Sequence, residues 1–259
     1  MNNKEYADFL LPGIDKTIEY YENLYKKRDL PEGAIVTRYA PSPTGFVHMG
    51  ALFSAFIASK FAKQTNGVFY LRIEDTDQKR EVENGVIGII KDLKNYGISI
   101  DEGMTSETEW IGEYGPYIQS ARKEIYQTFA KYLIENDLAY PCFCTAEEVE
   151  AIRKEQENLK DRIGYYGKWA RDRYLSRDEV INKIKNGEKY VIRLKSPGKF
   201  ENKVIYDDLV KGKLELPEND LDIVIIKGDG LPTYHFAHLV DDHLMRTTHV
   251  IRGDEWLSS

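Results

Sequence analysis

One stretch of the sequence, Arg38 to Leu52 (RYAPSPTGFVHMGAL), constrains the fold more than any other. It has the pattern of a short strand, a turn rich in proline and glycine, a histidine, a glycine and the start of a helix. A glycine lets a ligand approach the backbone closely, and the free N–H groups of a helix N-terminus attract negative charge. The pattern predicts a phosphate-binding turn, although an ordinary Pro/Gly loop of an α/β protein has the same composition.

Strand-like and helix-like segments alternate around this turn. Two short apolar runs, Ile35 to Ala40 and Val68 to Ile73, predict buried strands, and helical patterns cover Met49 to Gln64 and Glu83 to Tyr96. In the first of these helices, large apolar residues are expected to share one side: Leu52, Phe53, Phe56, Ile57 and Phe61. The strand–helix–strand–helix order predicts an α/β fold with a parallel sheet and right-handed crossovers.

From about Pro116 the pattern predicts an α+β insertion and then a return to the parallel sheet. Helices are expected over 116–138, after the capping-box spacing at Thr145 and from Ser176, with strands over 190–195 and 203–206. The apolar run DIVIIK (222–227), a helix over 234–245 and a strand over 249–252 would resume the sheet. With helical spacing over 14–28, the predicted division is an N-terminal helical extension 1–33, a first half of the sheet domain 34–115, an insertion 116–221 and the start of the second half 222–259.

The composition is typical of a globular protein that is not embedded in a membrane. Hydrophobic residues make up 42% and charged residues 31%, and no apolar run approaches membrane-spanning length. Cys142 and Cys144 cannot build a disulfide framework, which favours a reducing, cytoplasmic location. Because the net charge is −7, any contact with RNA needs a local basic face.

Two further segments carry polar groups where open α/β sheets bind ligands. The strand ending LRIEDTD (Leu71 to Asp77) places carboxylates at the carboxyl edge, where they could bind an amino group, a ribose or Mg²⁺, or could only cap the next helix. On the predicted helix in LPTYHFAHLVDDHLM, the residues His235, His238 and Asp242 could share one face. That face could be a metal site or a hydrogen-bonded cleft wall.

Four motifs in this order resemble the catalytic domain of glutamyl-tRNA synthetases, which are class I aminoacyl-tRNA synthetases. They are RYAPSPTGFVHMGAL, LRIEDTD, GPYIQSAR (Gly115 to Arg122) and PTYHFAHLVDDHLM followed by VIRGDEWL. The resemblance covers the chain from about Ile35 to its last residue. It implies a Rossmann-type parallel sheet of a class I synthetase, interrupted by an α+β insertion that binds the acceptor end of tRNA.

The resemblance further implies activation of L-glutamate with ATP and Mg²⁺, followed by ligation of glutamate to tRNA(Glu). His48 and Gly50 match the family's HIGH signature, written here as HMGA, and would be the catalytic residues. The implied ATP-binding residues are Ser42, Thr44, His48 and Gly50.

The implied glutamate pocket consists of Arg38, Ser42, Glu74, Tyr234, His238 and Arg252. Arg38 would hold the side-chain carboxylate and Glu74 the amino group. Because a guanidinium forks onto two carboxylate oxygens and has no acceptor, Arg38 would also reject the amide of glutamine.

In the insertion, basic residues would contact the phosphates of the tRNA acceptor end, and aromatic residues would stack on its unpaired bases. These residues are Lys183, Lys185, Lys189, Arg193, Lys195, Lys199, Lys203, Tyr165, Tyr166 and Trp169. Each of them could equally be an ordinary surface cation or a core ring.

The sequence departs from the family pattern in two places. Some relatives hold zinc through CxC and a later YxC; here Cys142 and Cys144 are present, but the segment Tyr166 to Trp169 has no cysteine. Because a structural zinc site needs four ligands, no zinc is expected. The family's KMSKS-type lysine loop would follow Ser259, so the chain is expected to be an inactive or nearly inactive fragment of a monomeric parent enzyme.

Three alternatives stay open on the sequence alone. They are a shorter glutamyl-Q tRNA(Asp) synthetase-like paralogue, a glutaminyl-tRNA synthetase, and a non-catalytic tRNA- or partner-binding module. The N-terminal extension argues against the first. Retention of the proposed pocket and HIGH-type residues argues for a parent with active-site chemistry.

Overall fold

The computed structural model describes residues 1–45, 47–77, 82–253 and 256. Phe46 of the first motif, and Asp254, Glu255 and Leu257 of the last one, lie outside the described residues. The described helices are α1 (Asn3–Leu10), α2 (Ile18–Leu24), α3 (Met49–Gln64), α4 (Gly85–Asn95), α5 (Lys123–Glu135), α6 (Ala146–Leu159), α7 (Arg177–Lys185) and α8 (Tyr234–Leu244). None of these described helices has the length and apolarity that a membrane crossing requires.

The described strands are short, and most of them follow apolar runs in the sequence. They are β1 (Val36–Tyr39), β2 (Val68–Leu71), β3 (Glu102–Met104), β4 (Trp110–Ile111), β5 (Ala139–Cys142), β6 (Val191–Leu194), β7 (Lys203–Asp208), β8 (Gly212–Pro217) and β9 (Val224–Ile226).

The chain forms two compact units. The sheet unit comprises Lys16–Tyr126 and Tyr234–Ser259, and the insertion unit comprises Met1–Asp15 and Gln127–Thr233. The predicted division into 1–33, 34–115, 116–221 and 222–259 stays a prediction. It differs from the two units mainly because the first 33 residues contribute to both of them.

The sheet unit is built on strands in the order β1-β2-β3-β4. β1, β2 and β3 are parallel, and β4 pairs antiparallel with β3. The parallel sheet predicted from the strand–helix alternation is confirmed. Because parallel strands end at one edge, the segments that follow β1 and β2 meet there.

Helix α3 has the predicted bounds, and its buried side consists mostly of alanine. Leu52, Ala55, Ala58 and Ala62 are buried, and α3 lies on β1 and β2 through this mostly alanine face. Phe53 is 64% exposed and Phe56 is 40% exposed. Of the residues expected to share one side, Leu52 is buried whereas Phe53 and Phe56 are exposed, because the contact with the sheet is made by small side chains that let the helix approach closely.

The insertion unit holds an antiparallel sheet, β5-β6-β9, and a separate β7-β8 hairpin. β9 lies within DIVIIK, so this run pairs with β6 and does not resume the parallel sheet as predicted. Residues 249–252, which the structure describes, are not a strand. Instead, the Thr248 and His249 N–H groups both donate to the carbonyl of Val36 in β1.

Local sequence signals fixed several helix ends in the insertion unit. Thr145 and Glu148 form the predicted capping box at α6, and Ser176 with Glu179 forms another at α7. The predicted helix over 14–28 is shorter in the structure, as α2, and α1 lies outside that prediction. The helix expected over 116–138 begins as a 3-10 turn at Gln119 and continues as α5.

Candidate active site

A cavity of about 1000 Å³ opens at the carboxyl ends of β1 and β2 in the sheet unit. The turn between β1 and α3, the segment after β2, and α8 form its walls. All nine site residues named from the sequence line it: Arg38, Ser42, Thr44, His48, Gly50, Glu74, Tyr234, His238 and Arg252. The sheet edge therefore brings the separate motifs to one place.

His48 is the N-cap residue of α3, and its exposed ring faces the cavity. Its Nδ1 accepts a hydrogen bond from the Ala51 backbone N–H at 3.3 Å. In a neutral ring the proton must then sit on Nε2, which leaves an Nε2–H donor free for a ligand. A donor beside the N-terminus of a 16-residue helix suits a negatively charged group.

Gly50 lies two residues after His48, in the first turn of α3. A Cβ atom built on Gly50 would lie 3.3 Å from His48 Nδ1 and 3.4 Å from His48 Cε1. Any side chain at this position would push on the ring that caps the helix. The glycine therefore keeps both the ring and the exposed backbone accessible.

Arg38 is anchored by two side chains of α8. Its Nε donates to both carboxylate oxygens of Asp242 at 3.2 Å, and its Nη2 contacts His238 Nε2 at 2.6 Å. The Arg38 side chain is 5% exposed. A guanidinium has five N–H donors, so Arg38 retains donors for a ligand in the cavity that it lines.

A second arginine, Arg72, forms hydrogen bonds with both Glu74 and Asp242. Its side chain is fully buried, and it donates to Glu74 Oε1 at 3.1 Å and to Asp242 Oδ1 at 2.8 Å. Sequence reasoning did not single out Arg72. The available signal was a charged residue between Leu71 and Ile73, since a buried charge is almost always paired.

The two carboxylates of this group are held in their ionised forms. Burial would raise the pKa of Glu74, but the hydrogen bond with His238 and the charge of Arg72 lower it below its usual value. Burial would likewise raise the pKa of Asp242, yet Arg72 and Arg38 hold it well below its usual range. Both groups therefore carry negative charge at neutral pH.

Tyr234 and Arg252 form the outer part of the same wall. Arg252 Nη2 donates to the Tyr234 hydroxyl at 2.7 Å. The Tyr234 ring stacks on His238, with centroids 5.7 Å apart, and lies 5.1 Å from the ring of Trp256. Burial, with the charge of Glu74, raises the pKa of Tyr234, so its hydroxyl stays protonated.

The metal alternative for α8 does not fit the described residues. His238 and Asp242 are in contact at 3.1 Å but both face Arg38, while His235 is exposed. The single described group of three potential metal ligands lies in the insertion unit, where ligand atoms of Cys142, Cys144 and Asp172 are within 4.8 Å of one another.

This cysteine group has one ligand more than the sequence indicated, because the fold adds Asp172 to the two thiols. The Tyr165 hydroxyl contacts the sulfurs of Cys144 and Cys142 at 3.2 and 3.5 Å. The Asp172 carboxylate already accepts a hydrogen bond from the Phe143 N–H at 2.6 Å. Three ligands do not complete a structural zinc site, so the absence of zinc stays a prediction.

Several residues predicted to contact tRNA are buried or paired with other residues of the chain, and the contact with tRNA stays a prediction. Tyr165 and Trp169 are 7% and 5% exposed and belong to a core cluster with Tyr140, Cys142, Ile152 and Ala170. Arg193 is buried and donates to the Asp222 carbonyl. Salt bridges pair Lys183 with Glu188, Lys195 with Asp137 and Lys203 with Glu215. Among the predicted cations, Lys185, Lys189, Lys199 and Lys203 are exposed.

Comparison with known proteins assigns most of the chain to a family. Residues 34–259 match the family model described as the catalytic domain of class I tRNA synthetases (E and Q). The chain belongs to this family. Its domain is therefore the Rossmann-like catalytic domain of a class I synthetase, as the sequence motifs implied.

The chain is also similar to curated and solved glutamate–tRNA ligases. It is 57% identical over 259 residues to the glutamate–tRNA ligase of Clostridium beijerinckii, covering 100% of this chain and 47% of that protein. The corresponding Clostridium perfringens protein is 56% identical over the same shares. A crystal structure of a glutamate tRNA ligase from Elizabethkingia meningosepticum in complex with its amino acid has a TM-score of 0.77 and 40% identity, and the match covers 87% of this chain and 45% of that one.

The chain spans about half the length of the curated relatives that it matches. The first 33 residues precede the family model, yet the clostridial relatives match the chain over its whole length.

Proposed function

We propose that this chain carries the glutamate- and ATP-binding part of a glutamate–tRNA ligase. The observation that supports this most strongly is the charge pattern of the cavity. Two cationic side chains, Arg38 and Arg252, line the same cavity as the buried carboxylate of Glu74. Free glutamate has two carboxylates and one ammonium group, so its charges complement those of the three side chains.

In this proposal, Arg38 binds the side-chain carboxylate of glutamate. Asp242 holds its Nε, which fixes the plane of the guanidinium before the ligand arrives. Glu74 accepts from the ammonium group of glutamate, while its Oε1 is held by Arg72. Tyr234, His238 and Arg252 complete the pocket, with Ser42 at the edge shared with ATP.

The turn before α3 would bind ATP through Ser42, Thr44, His48 and the backbone at Gly50. The α-carboxylate of glutamate attacks the α-phosphorus of ATP, and the bond to pyrophosphate breaks as glutamyl-adenylate forms. The His48 Nε2–H donor and the α3 N-terminus would stabilise the charge that develops on the phosphates. Mg²⁺ would enter with the ATP phosphates.

The remaining parts of the proposal concern partners and location. The insertion unit would contact the acceptor end of tRNA(Glu), with the exposed Lys185, Lys189, Lys199 and Lys203 as the cations available to phosphates. The enzyme would be a cytoplasmic monomer. The high identity to glutamate–tRNA ligases over the whole chain favours this function over the glutamyl-Q and glutaminyl alternatives.

The experiment uses a longer polypeptide that contains this sequence and has the full length of the curated relatives. Glutamate-dependent ATP–pyrophosphate exchange is measured in the presence of tRNA, with glutamine as the matched control. We expect exchange with glutamate and a kcat/KM at least about 100-fold lower with glutamine, because the amide loses the ion pair with Arg38. No exchange with glutamate, or equal exchange with both amino acids, would contradict the proposal.

A further inference from the structure

Helix α8, which supplies one wall of the cavity, is held at its C-terminal end by the N-terminal segment of the sheet unit. Arg28 Nε donates to the Met245 carbonyl at 3.0 Å. Arg246 donates to the Tyr25 carbonyl at 3.0 Å from Nε and to Glu22 Oε2 at 2.6 Å from Nη2. Glu22, Tyr25 and Arg28 are named the clasp below.

The clasp satisfies one carbonyl at the end of α8, that of Met245. The last carbonyls of an α-helix have no partner within the helix, and a cation near them also favours the helix dipole. Arg28 supplies both a donor and a charge. It is itself fixed, because its two Nη atoms donate to the Glu102 carboxylate at 2.6 and 2.9 Å, and its guanidinium lies 3.8 Å from the centre of the Tyr114 ring.

A second route leads from the clasp to the middle of α8. The Tyr25 ring lies 5.3 Å from the guanidinium of Arg122, whose Nε donates to Asp241 Oδ1 at 2.7 Å. Arg122 and Asp241 are fully buried. Asp241 precedes Asp242, the residue that holds Arg38, so the clasp reaches the anchor of the glutamate pocket by two separate paths.

We propose that the clasp positions the cavity side chains of α8 and thereby sets the affinity for glutamate. Met245 is seven residues beyond His238, or about 10 Å along a helix, so a stiff α8 transmits a shift of its end to the pocket. Glu22, Tyr25 and Arg28 are thus positioning residues. This inference rests on the proposed function, because it assigns the effect to glutamate.

The clasp lies in a part of the sequence that the family model does not cover. It lies before residue 34, where the family model begins, but within the stretch that the clostridial relatives match. Within the part of the chain that the structure describes, the clasp contacts the C-terminal end of α8, Arg122 and the segments around Glu102 and Tyr114. The proposed ATP turn after β1 is not among these contacts. A clasp variant should therefore weaken the binding of glutamate and leave the binding of ATP nearly unchanged.

The experiment compares Arg28→Ala and Glu22→Gln with Lys27→Ala in a polypeptide of the relatives' full length. Lys27 is exposed and adjacent, so its variant removes the same charge without touching α8. We expect Arg28→Ala to raise the KM for glutamate about tenfold, since a displacement below 1 Å is sufficient for such a loss, while the KM for ATP changes less than about twofold. Glu22→Gln should give a smaller rise, Arg28→Lys a partial recovery, and Lys27→Ala no change.

Amide hydrogen exchange of residues 234–244 provides a readout that does not depend on substrate. Faster exchange in Arg28→Ala than in Lys27→Ala, together with the selective rise in the KM for glutamate, would support the clasp. Equal exchange in the two variants, or equal losses for glutamate and ATP, would overturn it even if the wild type activates glutamate. A wild type that never uses glutamate would overturn the proposed function and with it the role of the clasp in that function.

Discussion

At the scale of single residues, the cavity depends on buried charges that balance one another. Arg38 and Arg72 share the carboxylate of Asp242, and Arg72 also binds Glu74. A buried pair contributes little net stability, but loss of one partner leaves an uncompensated charge away from water. The same pairs fix the plane of Arg38, so stability and the proposed ligand binding have a common origin here.

Asp242→Asn should lower the free energy of unfolding by about 3 kcal/mol, because both arginines lose their shared counter-charge. The folded-state pKa of Asp242 lies below its unfolded value, so this stabilisation is present above about pH 4 and is lost as the pH falls further. Urea unfolding between pH 7 and pH 3 checks both effects. Asp29→Asn, at an exposed position, is the control, and equal stability of the two variants would contradict the assignment.

Gly50→Ala should weaken ATP binding and leave glutamate binding unchanged. The new Cβ would press on the His48 ring. A Cβ added to Gly88 in α4 would instead point into open space. Gly88→Ala is therefore a matched control, which should stabilise the chain by about 0.5–1 kcal/mol. ATP titration should show about a tenfold loss for Gly50→Ala, as expected when an oriented hydrogen-bond donor is displaced; equal ATP affinity in both variants would argue against a role for the His48 ring.

The residues of the cavity were predictable where a motif marked a sheet edge. Arg38, His48 and Glu74 follow or end strands whose carboxyl ends must meet, so their convergence followed from the strand–helix order. Arg72 was missed because the apolar pattern of the predicted strand does not reveal which acidic side chains will pair with a buried arginine. The contact of Arg252 with Tyr234 was not predictable either, since it depends on a segment that is irregular rather than a strand.

At the scale of elements, the burial of α3 shows how packing overrides hydrophobicity. A helix that lies on a sheet is closest where its side chains are smallest, and the Thr37 hydroxyl in β1 reaches the Ala58 carbonyl at 2.8 Å. The alanine face therefore forms the contact with the sheet. Phe53, Phe56 and Ile57 remain on the outer side of the helix.

Ala58→Leu should destabilise the chain by about 1–3 kcal/mol, since the added atoms have no space against the sheet. Phe53→Ala should change stability by less than about 0.5 kcal/mol, because Phe53 is exposed. The thermal unfolding midpoints of the two variants distinguish the alanine face from the aromatic one. A larger loss for Phe53→Ala would contradict the packing of the alanine face on the sheet.

Sequence patterns located the elements better than their partners. Capping boxes and apolar runs gave α3, α6, α7 and β1, because these signals act over a few residues. The run DIVIIK indicated a buried strand, but burial alone does not reveal which sheet receives it, and β9 pairs with β6. β3 and β4 are only three and two residues long, too short for any periodicity to appear.

At the scale of the whole molecule, the two units have separate chemistries. The sheet unit holds the cavity, and the insertion unit holds Cys142, Cys144 and Asp172. We expect the purified chain to contain less than about 0.1 zinc per polypeptide, because a tetrahedral structural site needs a fourth ligand. Metal analysis after purification without chelators, with Cys144→Ser as the control, checks this; stoichiometric zinc that the control loses would contradict it.

The central claim is that the cavity between β1, β2 and α8 binds glutamate through Arg38. Calorimetric titration of L-glutamate into the full-length wild type, and into its Arg38→Ala variant, tests it most directly. We predict that the variant binds glutamate at least about 30-fold more weakly, a loss of about 2 kcal/mol, while its affinity for ATP is retained. Equal glutamate affinities in the two proteins, or an equal loss of glutamate and ATP binding in the variant, would contradict the account.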